Sequence, residues 1–263
     1  MCSDVQRART RTIRKSKIKL KIKQIYDYLD TISPFDTQEK WDNSGLIVGS
    51  FEQEFTNIII SLDLDEKLLD EVAPNSLIVT HHPLIFSPLS KINFDSYSTK
   101  LLKILIKKDI ALISMHTNID KSHLNYFVAT QILGFKNVVC EDFVCSADVN
   151  MSFEMFEQYI KDKLNLSILK TTQTKDYIKK VSLTTGSGMS LINEIDADCF
   201  LTGDIKYHDA MEAKSRDISL IDIGHYESEQ HFTSLMMGLL EKYLKKNQIK
   251  GIISDSKNPF NYK

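Results

Sequence analysis

Apolar positions along the chain follow two periods, and the change from one to the other predicts an α/β protein. Between Lys17 and Ser33 the apolar residues fall at alternating four- and three-residue steps, the spacing of one helix face, and Ser33-Pro34 ends the helix. Further on, short β-branched runs such as residues 58–60 and 77–79 have the length and composition of buried strands. The periodicity therefore indicates a first helix followed by a strand-rich body.

Strand-sized runs alternate with amphipathic segments through most of the remaining chain. The sequence predicts strands over residues 57–62, 76–80, 110–115, 181–185, 199–202, 218–223 and 251–254. It predicts helices over residues 65–72, 98–108, 123–133, 153–164, 190–195, 206–214 and 226–246. Continuous apolar strands separated by helices indicate a largely parallel sheet that is covered on both faces.

The two halves of the chain share a coarse βαβαβα order, which predicts two similar α/β lobes. We expect mixed or mostly parallel sheets covered by helices, with a metal site between the lobes. The predicted division is a disordered basic tail over residues 1–16, an N-terminal lobe over 17–135 and a C-terminal lobe over 136–263. The lobes are expected to form one structural unit that shares the metal site.

Composition narrows the class of protein without indicating its chemistry. The 263 residues are 42% hydrophobic and carry a net charge of -2, so a soluble protein is expected and nucleic acid is an unlikely main partner. No apolar run approaches the roughly 18 residues of a membrane helix. The four cysteines form no CxxC pair, and reduced thiols in a cytoplasmic protein are the expectation. The basic N-terminal segment lacks the apolar centre of a secretory signal.

Histidines at strand ends are the main chemical signal. His81 and His82 directly follow a predicted strand, His116 follows another, and His225 follows a third after a single glycine. Ligands in open α/β sheets bind beyond the carboxyl ends of strands, so these side chains are expected to converge. A single strand-end histidine is more often a packing residue, but three such strands together favour a metal site.

Two carboxylates complete the predicted cluster. Asp120 lies four residues after His116, and Glu229 lies four residues after His225 on the same face of a predicted helix. Imidazole with carboxylate suits Zn, Fe, Mn or Ni. Five ligands exceed one tetrahedral site, and a carboxylate can bridge two ions. The predicted ligands of two divalent metal ions per subunit are His81, His82, Asp120, His225 and Glu229.

Other residues have a functional and a structural interpretation. His208 begins a predicted helix near a strand end and is expected either to transfer protons or to line the pocket. The Gly186-Ser187-Gly188 turn lacks the full pattern of a phosphate-binding loop, which favours a plain turn. His123 and His231 lie within helices and are expected at the surface or in packing.

Five sequence blocks, in order, resemble the signature of the Nif-three-like family (YbgI-type), whose bacterial members are often named GTP cyclohydrolase I type 2 homologues. The blocks cover most of the chain from Trp41 to Glu229: Trp41-Asp42-Asn43-Ser44-Gly45-Leu46-Ile47-Val48-Gly49, Thr80-His81-His82-Pro83-Leu84, His116-Thr117-Asn118-Ile119-Asp120, Leu201-Thr202-Gly203-Asp204 and Gly224-His225-Tyr226-Glu227-Ser228-Glu229. The chain is similar to the short bacterial form, without a large middle insertion.

The resemblance implies a dinuclear metal site in an α/β fold and a toroidal homohexamer. The family's ligands fall on the same five residues, and His116 takes a position beside the metals or the substrate. The implied activity is hydrolysis of GTP to dihydroneopterin triphosphate and formate, with His116 or His208 moving protons. The alternatives are a metal-binding scaffold or chaperone with weak or no catalysis, and a hydrolase of another small molecule.

Overall fold

The computed structural model describes residues 20–261, which form two mixed β-sheets flanked by helices and one small two-stranded sheet. The first sheet has the strand order β13-β4-β5-β6-β2. Its strands are β2 (Gly45–Val48), β4 (Asn57–Ser61), β5 (Leu77–Thr80), β6 (Ala111–Ser114) and β13 (Lys250–Ile253). Strands β13, β4, β5 and β6 are parallel, and β2 runs antiparallel to β6.

The second sheet has the strand order β7-β8-β10-β11-β12-β9. Its strands are β7 (Val139–Glu141), β8 (Val144–Ser152), β9 (Lys170–Thr172), β10 (Tyr177–Leu183), β11 (Cys199–Thr202) and β12 (Ser219–Asp222). The neighbouring strands β10, β11 and β12 pair in parallel, and the other neighbours in this sheet pair antiparallel. The predicted α/β class with mixed sheets is therefore confirmed.

Helices cover these sheets and connect the parallel strands. They are α1 (Ile22–Ile32), α2 (Glu66–Glu71), α3 (Tyr97–Lys107), α4 (Thr117–Ile119), α5 (Asn125–Phe127), α6 (Phe153–Leu164), α7 (Tyr207–Ser215), α8 (His225–Glu229) and α9 (Phe232–Asn247). Two π-helical stretches, Asp120–Leu124 and Val128–Ile132, alternate with α4 and α5 to make one continuous helical segment. Short 3₁₀ helices lie at Phe35–Thr37 and Met189–Glu194. None of the helices described is long and apolar enough to span a membrane.

One hydrophobic core joins the two sheets. Every residue of β5, β6 and β11 is buried, as continuous apolar strands covered on both faces require. The largest buried cluster includes Val79 of the first sheet and Leu201 of the second. The carboxyl ends of the parallel strands of both sheets lead into one shared region, which holds the candidate site described below.

The last strand differs from the predicted division of the chain. Residues 136–263 were expected to form the C-terminal lobe, but β13 pairs in parallel with β4 and extends the first sheet. Helix α9 carries the chain back, with Leu240 and Leu244 buried in the core, so that β13 can cover this edge. The pairing joins residues almost 200 positions apart, which local sequence patterns do not encode.

Two helix boundaries also differ from those expected. Leu20–Lys21 is a short strand, β1, paired with β3 (Glu54–Phe55), so the first helix begins at Ile22. The predicted helix over 226–246 is divided into α8 and α9 at Gln230 and His231, where the backbone angles tighten toward 3₁₀ values. The predicted basic tail over residues 1–16 lies outside the described residues.

Two of the four cysteines are joined, contrary to the expectation of reduced thiols. Cys140 and Cys145 form a disulfide across the β7–β8 hairpin, where they are directly opposed. The disulfide joins neighbouring strands of one hairpin and not distant parts of the chain, and the two Cα atoms are 4.0 Å apart. Cys199 is a buried free thiol, and Cys2 lies outside the described residues.

Candidate metal centre

Strand ends of both sheets deliver the predicted site residues to one place. His81 and His82 directly follow β5, and Asp120 begins the π-helical stretch after β6 and α4. His225 and Glu229 are the first and last residues of α8, one helical turn apart. The structure therefore brings the five predicted ligands together between the two sheets.

His81 is fully buried, and its hydrogen bonding fixes which ring nitrogen faces the cluster. Its Nδ1 lies 2.9 Å from the carbonyl oxygen of Met115, which only accepts, so Nδ1 carries a proton. Its Nε2 lies 3.5 Å from Asp120 Oδ1 and 3.6 Å from Glu229 Oε1. His81 Nε2 and Asp120 Oδ1 are buried without a hydrogen-bond partner. We call His81 Nε2, Asp120 Oδ1 and Glu229 Oε1 the inner donor set.

His82 and His225 present their Nε2 atoms to each other. Nδ1 of His82 lies 2.8 Å from Asp63 Oδ1, and Nδ1 of His225 lies 2.7 Å from Asp204 Oδ2. The two Nε2 atoms are 3.3 Å apart, and each lies 3.0 Å from Glu229 Oε2. We call His82 Nε2, His225 Nε2 and Glu229 Oε2 the outer donor set. The carboxylate partner at each Nδ1 leaves Nε2 free to bind a cation.

Charge in the cluster is balanced by protons when no cation is bound. Burial alone would lower the pKa of His82, but its contacts with Asp63 and Glu229 outweigh burial and raise the pKa to about 10. The hydrogen bond to Glu229 raises the pKa of His225 to about 9 against the effect of burial. Burial raises the pKa of Asp120 despite nearby His81. Burial would also raise the pKa of Glu229, but the surrounding histidines hold it well below its usual range.

These contacts fit a metal ion on physical grounds. Each donor set consists of imidazole nitrogen and carboxylate oxygen, which are ligands of Zn, Fe, Mn and Ni. His81 Nε2 lies 3.5 and 3.6 Å from two carboxylates without making a hydrogen bond, and a buried polar atom without a partner is costly unless a cation lies among these groups. The ligand atoms of His82, His225 and Glu229 all lie within 4.8 Å of one another.

His116 lies beside the cluster and is held by a buried aspartate. Its Nδ1 is 2.7 Å from Asp42 Oδ1, and its ligand atoms lie within 4.8 Å of those of His81 and His82. Burial would raise the pKa of Asp42, but its contacts with His116 and Thr117 lower it strongly, so Asp42 is ionised. This carboxylate keeps the proton of His116 on Nδ1 and leaves Nε2 as the reactive nitrogen.

Two cavities reach the cluster from different sides. The first has a volume of about 560 Å³, and its walls include His116, Asp120 and Glu229. The second, of about 460 Å³, includes Asp63 and Asp204. His82 and His225 line both cavities, so the outer donor set is reached from both sides.

Sequence comparison places the chain in a known family. The model of the family Duf34/NIF3 (NGG1p interacting factor 3) matches residues 20–259. The chain belongs to the Duf34/NIF3 family. A Campylobacter jejuni protein named GTP cyclohydrolase 1 type 2 homolog is 48% identical over 244 residues, which are 92% of this chain and 100% of that protein. A Helicobacter pylori protein named GTP cyclohydrolase 1 type 2 is 41% identical, over 84% of this chain and 92% of its own length.

A solved structure has the same fold as this chain over most of its length. The Staphylococcus aureus hypothetical protein SA1388 superposes with a TM-score of 0.82 at 28% sequence identity. The match covers 92% of this chain and 99% of that one. The predicted resemblance to the Nif-three-like family is thus confirmed for the chain as a whole.

His208, the second residue expected to transfer protons in this NIF3-family chain, lies apart from the cluster. It is exposed near the start of α7, and its ring contacts that of Tyr207. His208 is not among the residues that line either cavity at the cluster. His116 lines the first cavity, so only one of the two expected histidines lies at the cluster.

Sequence reasoning did not assign roles to the carboxylates that orient the histidines. Asp42 and Asp204 lie inside blocks that carry the family resemblance, and Asp63 lies two residues beyond the end of β4. The strand-end argument that identified His81 would also have identified Asp63. Without the fold, however, no sequence signal pairs a given aspartate with a given histidine.

The Gly186-Ser187-Gly188 turn has a packing role at the cluster. Gly186 has a φ of +65°, and a Cβ atom there would lie 2.0 Å from Glu229 Oε1. The Ser228 hydroxyl accepts a hydrogen bond of 3.0 Å from the Gly186 backbone N–H. The turn therefore lets the second sheet approach Glu229 closely, which agrees with its interpretation as a plain turn.

Proposed function

We propose that this protein is a metal-dependent hydrolase of the GTP cyclohydrolase I type 2 class that binds two divalent ions. The observation that supports the proposal lies in the cluster of five predicted ligands. There, buried His81 Nε2 faces Asp120 and Glu229 without a hydrogen-bond partner. The names of the Campylobacter and Helicobacter relatives supply the substrate class. The proposed reaction converts GTP and water to dihydroneopterin triphosphate and formate.

The proposed ligands are divided between two ions by Glu229. The inner donor set would hold one ion through His81 and Asp120, and the outer donor set would hold the other through His82 and His225. Glu229 contributes one oxygen to each set, which is the arrangement of a bridging carboxylate. Bound divalent ions lower the pKa of water and stabilise negative charge that develops on oxygen.

His116 is the proposed acid–base residue. Asp42 holds the proton on Nδ1, so His116 Nε2 accepts a proton from the attacking water and returns it to the ring nitrogen that leaves C8. The ionised Asp42 also stabilises the imidazolium that forms in between. His208, exposed and outside the cavity, has no part in this step.

The proposal is tested by formate release from GTP in metal-loaded protein, run beside ATP and simple phosphoesters. Formate from GTP alone is the expected result, and the rate should rise with pH through an apparent pKa near ~7, as for other metal-activated waters. Release of phosphate without formate would identify a hydrolase of another kind. His116→Ala should keep its metal and slow turnover by about 10²–10⁴-fold, whereas His208→Ala should leave the rate unchanged.

A metal-binding scaffold or chaperone is the second candidate function. It is favoured by the second cavity, which gives His82 and His225 a route to solvent separate from the cavity that contains His116. Metal-replete protein that is inert toward every substrate tested, yet transfers its outer ion to a chelator, would support this candidate.

We further propose that the chain functions in the cytoplasm as a homohexamer, as the family resemblance implies. Light scattering of the purified protein at micromolar concentration tests the assembly. A stable monomer under these conditions would contradict it.

A further inference from the structure

Two large aromatic side chains stand exposed at the mouth of the first cavity. Trp41 is 59% exposed and Phe86 is 50% exposed, and both line the cavity that leads to the donor sets. Their ring centroids are 5.8 Å apart, with the planes inclined at 48°. Trp41 is also the single tryptophan of the chain. Exposed aromatic surface beside a cavity is typical of a ligand-binding wall.

Hydrogen bonds fix the residues that flank Trp41 and the residue before Phe86. The side chain of Asn43 donates to the carbonyl oxygen of Ile85, which ties the residues next to Trp41 and Phe86 together. Asp42, on the other side of Trp41, is fixed by His116 and by the backbone N–H of Thr117. The backbone that carries the aromatic pair is therefore fixed by the same network that orients the proposed acid–base residue.

The aromatic pair lies close to His116, the proposed acid–base residue. The His116 ring is edge-on to both aromatic rings, with centroids 6.3 Å from Trp41 and 6.2 Å from Phe86. The cavity volume of about 560 Å³ is in the range of sites that enclose a small ligand. A flat ring stacked on Trp41 would therefore have one edge directed toward His116.

The charge of the cavity wall determines whether the wall can bind the phosphates of a ligand. Glu39, Asp142 and Glu194 line the cavity, whereas the wall formed by residues of the described range 20–261 includes no lysine or arginine. The nearby Lys121 is already shared, with its Nζ 2.6 Å from Glu39 and 3.1 Å from Asp142. This wall offers no lysine or arginine to a chain of phosphates, and its histidines His82 and His225 are already paired with carboxylates.

We infer that Trp41 and Phe86 form a stacking subsite for a planar heterocycle, and that the protein part of the site binds the ring of its ligand rather than its phosphates. The identification of that ring as guanine rests on the proposed function. Stacking on an aromatic side chain recognises the π-face of the base, which is present with or without phosphate.

Calorimetric titration of the full-length protein with guanosine and with GTP tests the inference. In folded, chelator-treated protein, which is expected to lose the outer ion and to keep only the buried inner one, GTP should bind no more tightly than guanosine. Trp41 fluorescence should change as either ligand binds. GTP that binds clearly more tightly than guanosine would overturn the statement about phosphates.

Variants test the two rings. Trp41→Ala and Phe86→Ala should each weaken guanosine binding by about 5- to 100-fold, the range for loss of one base-stacking contact, while Trp41→Phe should retain most of the affinity. Tyr177→Ala is the matched control, because Tyr177 is also 50% exposed but lies on β10 away from the cavity. Unchanged guanosine affinity in both alanine variants would overturn the subsite.

The stacking subsite and the proposed reaction can be confirmed or refuted independently of each other. Stacking-dependent guanosine binding without formate release from GTP would support the subsite and refute the reaction. Formate release with a KM for GTP that is unchanged by Trp41→Ala would support the reaction and refute the subsite. A rise in KM with little change in kcat would support both.

Discussion

The inner and outer donor sets use the same kinds of atom but are held in different ways. The inner set depends on the fold, because His81 is oriented by a backbone carbonyl and is fully buried. The outer set depends on side chains, because half-exposed Asp63 and Asp204 orient its two histidines. These histidines, His82 and His225, line both cavities. We therefore expect an ion bound by the inner set to be held more tightly, and to exchange more slowly, than an ion bound by the outer set.

Glu229→Gln should have the largest effect, because it removes the one carboxylate that serves both sets. We expect the loss of both ions, since an amide has no negative charge to offset two cations in a buried site. Elemental analysis of the folded variant measures this loss. Glu227→Gln, which changes an acid on the same helix outside both sets, should keep both ions. A Glu229→Gln protein with the metal content of the wild type would refute the shared carboxylate.

Two further substitutions should separate the sets. Asp120→Asn should empty the inner set and leave the outer ion, and His225→Ala should do the reverse. Metal content should fall by half in each variant, and only the His225→Ala protein should retain its ion through dialysis against a chelator. If both variants lose the same ion, the division into inner and outer sets is wrong.

A smaller effect is expected from the carboxylates behind the outer histidines. Asp63→Asn and Asp204→Asn should each weaken the outer ion by about 10–100-fold, as loss of a carboxylate behind a ligand histidine does elsewhere. The inner ion should be unaffected. Competition with a fluorescent chelator measures both affinities, and Asp95→Asn, an exposed loop substitution, is the control. Equal weakening of the two ions would show that the sets are not independent.

The smallest expected effect concerns pH and stability. Without metal, the pKa values of His82 and His225 are raised from 6.5 to about 10 and about 9, so their stabilising contribution is complete below about pH 6.5. It is lost as the pH rises toward these values, and the Tm of metal-free protein should fall over this window. Metal-loaded protein should not show the fall, because cations replace the protons. Parallel melting curves by circular dichroism test this, and identical curves would count against it.

Sequence patterns predicted the local elements of the fold better than their long-range pairing. The predicted strand over 199–202 and the helix over 153–164 match β11 and α6, because apolar runs and helical periodicity are local signals. The pairing of β13 with β4 was missed, because strand partners depend on the path of the whole chain. Antiparallel β9, at the edge of the second sheet, was missed for the same reason.

In the candidate site, too, the sequence predicted which residues cluster but not the contacts that orient their side chains. The five clustered residues were predictable, because parallel strand ends converge at one edge of a sheet. The tautomer of His81 was not, because it depends on contact with Met115 across the β5–β6 pair. Nor could spacing separate His116, which faces the cavity, from His208, which is exposed, since both follow a strand.

The metal content of the wild-type protein shows whether the cluster binds two ions. Protein purified without chelators should contain two divalent ions per chain by elemental analysis. Dialysis against a chelator should then remove the outer ion and leave the inner ion in place, giving one per chain. A folded protein that contains only trace metal, and that takes up none when divalent ions are supplied, would contradict the account.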